Sequence, residues 1–143
     1  MSFHDDLVLQ LRADVASALR LPAAAVYGGR QPQKVTRTGL EVWIRPQETE
    51  PHGRGGGDQA KVHPYEVHVR LKARREQSHT GVDQLDEVRA VLELLRARYD
   101  GARPFAAALP DLLAVQVEEG SVDEDPDEDD LLDGTLILRV LER

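Results

Sequence analysis

The sequence contains no cysteine. This excludes disulfides, zinc–thiolate and iron–sulfur sites, and a cysteine nucleophile. Aromatic residues are few and scattered: Phe3, Tyr27, Trp43, Tyr65, Tyr99 and Phe105. A platform that stacks nucleic-acid bases needs more of them, clustered. No apolar run approaches the ~20 residues of a membrane-crossing helix. Basic residues also run short toward the end. The net charge is zero over residues 1–60, +2 over 61–98 and -10 over 99–143. The resulting total of -8 argues against a general nucleic-acid binder, whose phosphate contacts require a basic field. Residues 1–6 are acidic and lack the shape of a signal peptide. The expectation is a soluble, intracellularly made protein with a single domain over residues 1–143.

What is present is periodicity. Leu7, Leu11, Val15 and Leu19 recur every four residues, which predicts an amphipathic helix. Ser2 followed by Asp5 forms a helix-start signal, and Pro22 is incompatible with continuing the helix. Leu40, Val42 and Ile44 alternate with Glu41, Trp43 and Arg45, the pattern of a half-buried strand. A second strand carries Tyr65, Val67, Val69, Leu71 and Ala73 on one face and Glu66, His68, Arg70, Lys72 and Arg74 on the other. Leu85, Val88, Leu92, Leu95 and Tyr99 make a second helical seam, closed by Gly101. Leu113, Val115 and Val117 suggest a short strand. Thr135 to Leu141 suggests a last one, with Ile137, Arg139 and Leu141 opposite Leu136, Leu138 and Val140. Residues 27–32 read as a turn, 47–61 as a long mobile loop rich in glycine, and 118–133 as an acidic loop. Together these elements predict an α+β two-layer sandwich in the order α-β-β-α-β-β. Its sheet is expected to be largely antiparallel and four-stranded, with two main helices.

Chemical motifs are absent. The run from Gly53 to Gly57 lacks the later glycine, lysine and hydroxyl residue of a phosphate loop. Asp123, Asp125 and Asp127 have calcium-loop spacing, but Glu128 stands where the turn glycine belongs and Gly134 where the closing glutamate belongs. His4, His52, His63, His68 and His79 show no metal-ligand spacing and are expected at the surface. Ser2, Ser17, Ser78 and Ser121 lie in no nucleophile elbow. The expectation is a protein without cofactor, metal or catalytic residues, and not an enzyme. Assembly fits better. The last strand is apolar on both faces, and Trp43 sits on the polar face of its strand, where tryptophan often anchors an interface.

The order of elements resembles that of tail-terminator and tail-completion proteins of tailed bacteriophages. It runs from an N-terminal helix through a hairpin with an overlong loop, the strand Tyr65-Glu66-Val67-His68-Val69-Arg70-Leu71 and the helix Leu85-Asp86-Glu87-Val88 to two closing strands. The resemblance spans about residues 3–142 and is one of organisation and size; the acidic stretch 118–133 has no counterpart in it. It implies a structural virion protein of the tail and neck region, made in the host cytoplasm. It implies a homohexameric ring on the tail-tube protein that joins the tube to a head-completion or neck protein. Genomic DNA would only pass through the lumen, and no membrane partner is implied. On this reading the interface candidates are Trp43, Arg70, Lys72, Arg74, Ile137, Arg139 and Leu141. Alternatives are another head–tail connector or minor tail protein, a small enzyme with a carboxylate site, and a monomeric module that binds a basic partner through the acidic loop.

Overall fold

The computed structural model describes residues 2–29, 39–51, 61–72, 82–124 and 131–143. Helix α1, Phe3–Leu19, starts as its sequence dictates: the Ser2 side chain accepts a hydrogen bond from the Asp5 backbone N–H at 3.2 Å, and Asp5 and Asp6 face the positive helix end. It closes before Pro22 is reached. Arg20 adopts a left-handed conformation with φ 55°, and the Leu21 N–H returns to the Ala16 carbonyl at 2.9 Å. A single 3-10 turn, Ala23–Ala25, leads into strand β1, Val26–Gly28. Strands β2, Gly39–Pro46, β3, Glu50–Pro51, and β4, Lys61–Lys72, follow. Helix α2, Val82–Tyr99, and strands β5, Leu112–Glu124, and β6, Leu131–Glu142, complete the order.

These strands form one six-stranded mixed sheet in the order β1-β2-β4-β6-β5, with β3 beside the start of β4. This corrects the expected four-stranded, largely antiparallel sheet, while the α+β class and the two main helices stand. β1 runs parallel to β2, pairing Val26 with Val42 and Gly28 with Ile44. Three residues carry no readable alternation, and their neighbouring glycines signal a turn instead. The expected loop 47–61 contains β3, which pairs Glu50 with Val62, and it ends inside β4, which begins at Lys61; residues 52–60 lie outside the described residues. The expected acidic loop 118–133 is strand at both ends. Glu118 to Glu124 belong to β5 and Leu131 to Asp133 to β6, with 125–130 outside the described residues. Charged side chains hide a strand whose stability comes from its ladder.

Both helices pack on one face of the sheet. Leu11 and Val15 of α1 and Leu95 and Tyr99 of α2 meet over Ile44, Val67, Leu136 and Leu138. Each fully buried side chain of this size contributes about 1.5–3 kcal/mol. Val88 of α2 is also fully buried. It lies over Gly134 of β6, where a Cβ would come within 2.6 Å of Val88 Cγ1 and 3.0 Å of Leu92 Cδ1. The helices are also tied by polar contacts. Arg98 donates twice to the Asp14 carboxylate, at 2.7 and 2.6 Å, and the Tyr99 hydroxyl donates to it at 2.6 Å. The hydrogen bonds from Arg98, then that from Tyr99, hold the Asp14 carboxyl below its ordinary range against the opposing effect of burial. Its contribution is therefore present above about pH 4 and lost as the pH falls through the lowered folded value. Asp14→Asn is expected to lower stability by about 1 kcal/mol at pH 7, an effect kept small by the exposure of Arg98. Urea unfolding at pH 7 and again at pH 3 checks it: the difference should shrink at the lower pH.

Candidate functional site

Strand alternation sorts the expected interface residues onto one surface, the sheet face opposite the helices. Register places Trp43 beside His68 and Thr135, and Arg70 between Glu41 and Asp133. Lys72 lies beside Leu131, Arg139 beside Pro64 and Gln116, and Leu141 beside Val62 and Ala114. Ile137 lies between Glu66 and Glu118. All six are on this face; Arg74 lies outside the described residues.

The six divide by burial. Trp43 and Arg70 are buried, while Lys72, Ile137, Arg139 and Leu141 are half-buried. The Trp43 indole N–H donates to the Gly29 carbonyl at 2.7 Å, and its ring stacks on His68 with centroids 4.6 Å apart. Arg70 donates to the Tyr27 hydroxyl at 3.3 Å and lies 3.9 Å from Asp133. These two residues therefore organise the sheet from within. The half-exposed surface is formed by Ile137, Leu141, Lys72 and Arg139, the last lying 3.6 Å from Glu118.

His68 is at the centre of this face. Its Nδ1 lies 3.0 Å from Asp133 Oδ1 and its Nε2 2.9 Å from Glu66 Oε2. Both partners are carboxylates, which only accept, so the geometry calls for the doubly protonated imidazolium. Burial opposes that charge, but Asp133, and then Glu66, outweigh it and raise the His68 pKa above its ordinary value. The flat cation then lies against the Trp43 ring, a favourable arrangement.

A second polar cluster joins the start of α1 to the sheet. The Tyr65 hydroxyl meets His4 Nδ1, and His4 Nε2 lies 3.2 Å from Thr49 Oγ1. Thr49 Oγ1 lies 2.9 Å from His63 Nδ1, and His63 Nε2 lies 2.7 Å from Glu142 Oε1. Burial holds the Tyr65 hydroxyl protonated, with its pKa pushed far up. One direction then satisfies every atom: Tyr65 donates to His4, His4 to Thr49, Thr49 to His63, and His63 to Glu142. Burial, the largest cause, lowers the His4 pKa, in keeping with a neutral ring in that chain. His4 and Thr49 also line a cavity of about 870 Å³ between α1 and the segment 45–49. The expected surface placement is corrected for His63 and His68, both largely buried; sequence spacing could not show partners 79 and 65 residues away. Among the described residues, no group of three or more His, Asp or Glu side chains is arranged to hold a metal ion.

No family model matches this chain, and no curated protein matches it. Among solved structures, its fold is shared by a chain in a structure described as the virion of a native gene transfer agent particle. The TM-score is 0.55 and the identity 17%, with 94% of this chain and 90% of that one covered. The likeness is one of fold and runs through both layers.

Proposed function

We propose that this chain is a structural protein of a phage-like virion, and that within it the chain caps the tail tube as a homohexameric ring and joins it to the neck. The observation that carries the reading is the fold shared with a virion chain over almost the whole length of both. The order of elements, which resembles tail terminators, supplies the finer assignment. Chemistry on the surface agrees with assembly. The sheet face opposite the helices offers half-buried Ile137 and Leu141 with Arg139 between them, apolar side chains interleaved with charge. A rigid sheet held by a buried polar network is suited to a role in which shape is the function. The partners on this reading are neighbouring copies, the tail-tube protein and a neck protein. The role is not catalytic.

The test is imaging of the particle that carries this protein, with the chain located by antibody. A six-fold ring at the head-proximal end of the tube is the expected result. Ile137→Lys combined with Leu141→Glu is expected to abolish capping of isolated tubes while leaving the circular dichroism of the free protein unchanged, since both side chains are already partly exposed and the lysine would stand between Glu66 and Glu118. Full capping by that variant removes this face from the interface. Absence of the chain from the tube end removes the assignment itself.

A further inference from the structure

Strand β5 is the edge of the sheet, and its two halves are treated differently. In the first half the loop after α2 covers the edge. The Gly101 N–H donates to the Val115 carbonyl at 2.8 Å, the Val115 N–H to the Ala102 carbonyl at 2.9 Å, and the Val117 N–H to Asp100 Oδ1 at 3.0 Å. Backbone groups two residues apart point to the same side of a strand, and the register with β6 is regular from Val115 to Glu119. The N–H and C=O of Glu119 therefore face outward too, one step beyond the Asp100 cap. A bulge follows, where Gly120 sits so close to the Thr135 carbonyl that a Cβ would lie 1.9 Å from that oxygen. Among the described residues, no strand pairs with the outer side of β5.

The two faces beside this open edge differ in chemistry. On the helix side, a groove of about 460 Å³ lies between α2 and β5, where Leu92, Val122 and Leu136 supply apolar surface and Arg89, Glu93 and Arg96 of α2 add charge to the lining. On the other side, Glu118 and Asp123 are exposed. Successive side chains of a strand point to opposite faces, so a strand laid along this edge would present one set to each chemistry. We propose that the β5 edge between Glu118 and Glu124 takes up an added strand from a partner protein. That strand is an extended segment that alternates apolar side chains toward the α2 groove with lysine or arginine toward Glu118 and Asp123. Pairing supplies the affinity and the alternation the selectivity. A second β5 is a poor occupant, because it would bring the same carboxylates face to face. The inference does not depend on the proposed place in a virion.

The test uses the full chain, labelled with nitrogen-15, and two isomeric peptides: acetyl-Lys-Val-Lys-Val-Lys-Val-amide and acetyl-Lys-Lys-Lys-Val-Val-Val-amide. The alternating peptide is expected to bind saturably with Kd below about 1 mM and about tenfold more tightly than the block isomer, slowing exchange of the Glu119 amide. Glu119→Pro removes one outward donor and no β6 bond, and proline is tolerated at such edge positions, so binding should be lost with the fold intact. Glu118→Lys with Asp123→Lys should weaken binding about tenfold through like-charge contacts. If the proline variant does not fold, this pair decides. No saturable binding, equal binding of the two isomers, or undiminished binding by the charge-reversed pair would each overturn the proposal.

Discussion

Replacing Gly134 with valine is expected to destabilise the protein by about 2–3 kcal/mol, the upper part of the range for forcing extra carbons into a packed core. The Cβ alone would stand 2.6 Å from Val88 Cγ1 and 3.0 Å from Leu92 Cδ1, so even alanine requires these two side chains to shift. The helix that carries them has little freedom to retreat. Val88 and Leu95 are buried against the sheet, and Arg98 and Tyr99 anchor its far end to Asp14. Valine adds two more carbons to the same space. Urea unfolding compares Gly134→Val with Leu94→Ala, a change at a 43% exposed position of the same helix that should stay within about 0.5 kcal/mol. Equal effects at the two sites would show that α2 does not rest on Gly134.

The second large effect is expected at His68. His68→Leu leaves Glu66 and Asp133 without the cation between them, and at pH 6 it should cost about 2 kcal/mol, moderated by their partial exposure. The pH dependence has a definite sign. A histidine whose folded pKa is raised stabilises the fold fully below its unfolded value, about 6.5, and loses that contribution as the pH rises through the folded value. The gap between wild type and His68→Leu should therefore narrow from pH 6 toward pH 9. His4 works in the opposite sense. Its folded pKa is lowered, so its contribution is present above about 6.5 and is lost as the pH falls through the lowered value. His4→Gln should thus flatten the acid side of the stability curve, and His68→Leu the alkaline side. Chemical denaturation across that range measures both, and a gap at His68 that widens with pH would contradict the imidazolium assignment.

Much of the fold can be read from the residues themselves. The four-residue spacing from Leu7 to Leu19 and the seam from Leu85 to Tyr99 mark both helices, and Tyr65, Val67, Val69 and Leu71 mark the buried face of β4. Strand alternation also places Trp43, Arg70, Lys72, Ile137, Arg139 and Leu141 on one surface. What it misses has a common origin. β1 and β3 are three and two residues long, too short for a period, and exist through their pairing with β2 and β4. The distal half of β5 is acidic, and only the ladder to β6 makes it a strand. Burial of Arg70 and His68 depends on Asp133, which sits far along the chain and reaches them through register alone. Sequence shows that these side chains share a face; it does not show which of them turn inward to one another.

The position of β6 also bears on how the chain acquires its shape. β6 is the last of the described strands in chain order, yet it lies between β4 and β5 in the sheet. While the ribosome is still upstream of residue 131, β4 and β5 have no strand to join them, and Val88 has no Gly134 to settle upon. The emerging polypeptide would thus hold two unmatched hydrogen-bonding edges, and Val88 without its strand, until β6 has left the ribosome. Non-local pairing of this kind slows folding and exposes adhesive surfaces meanwhile. Like charge on the acidic residues of β5 would disfavour association between such incomplete chains, the same device that guards exposed strand edges in finished proteins.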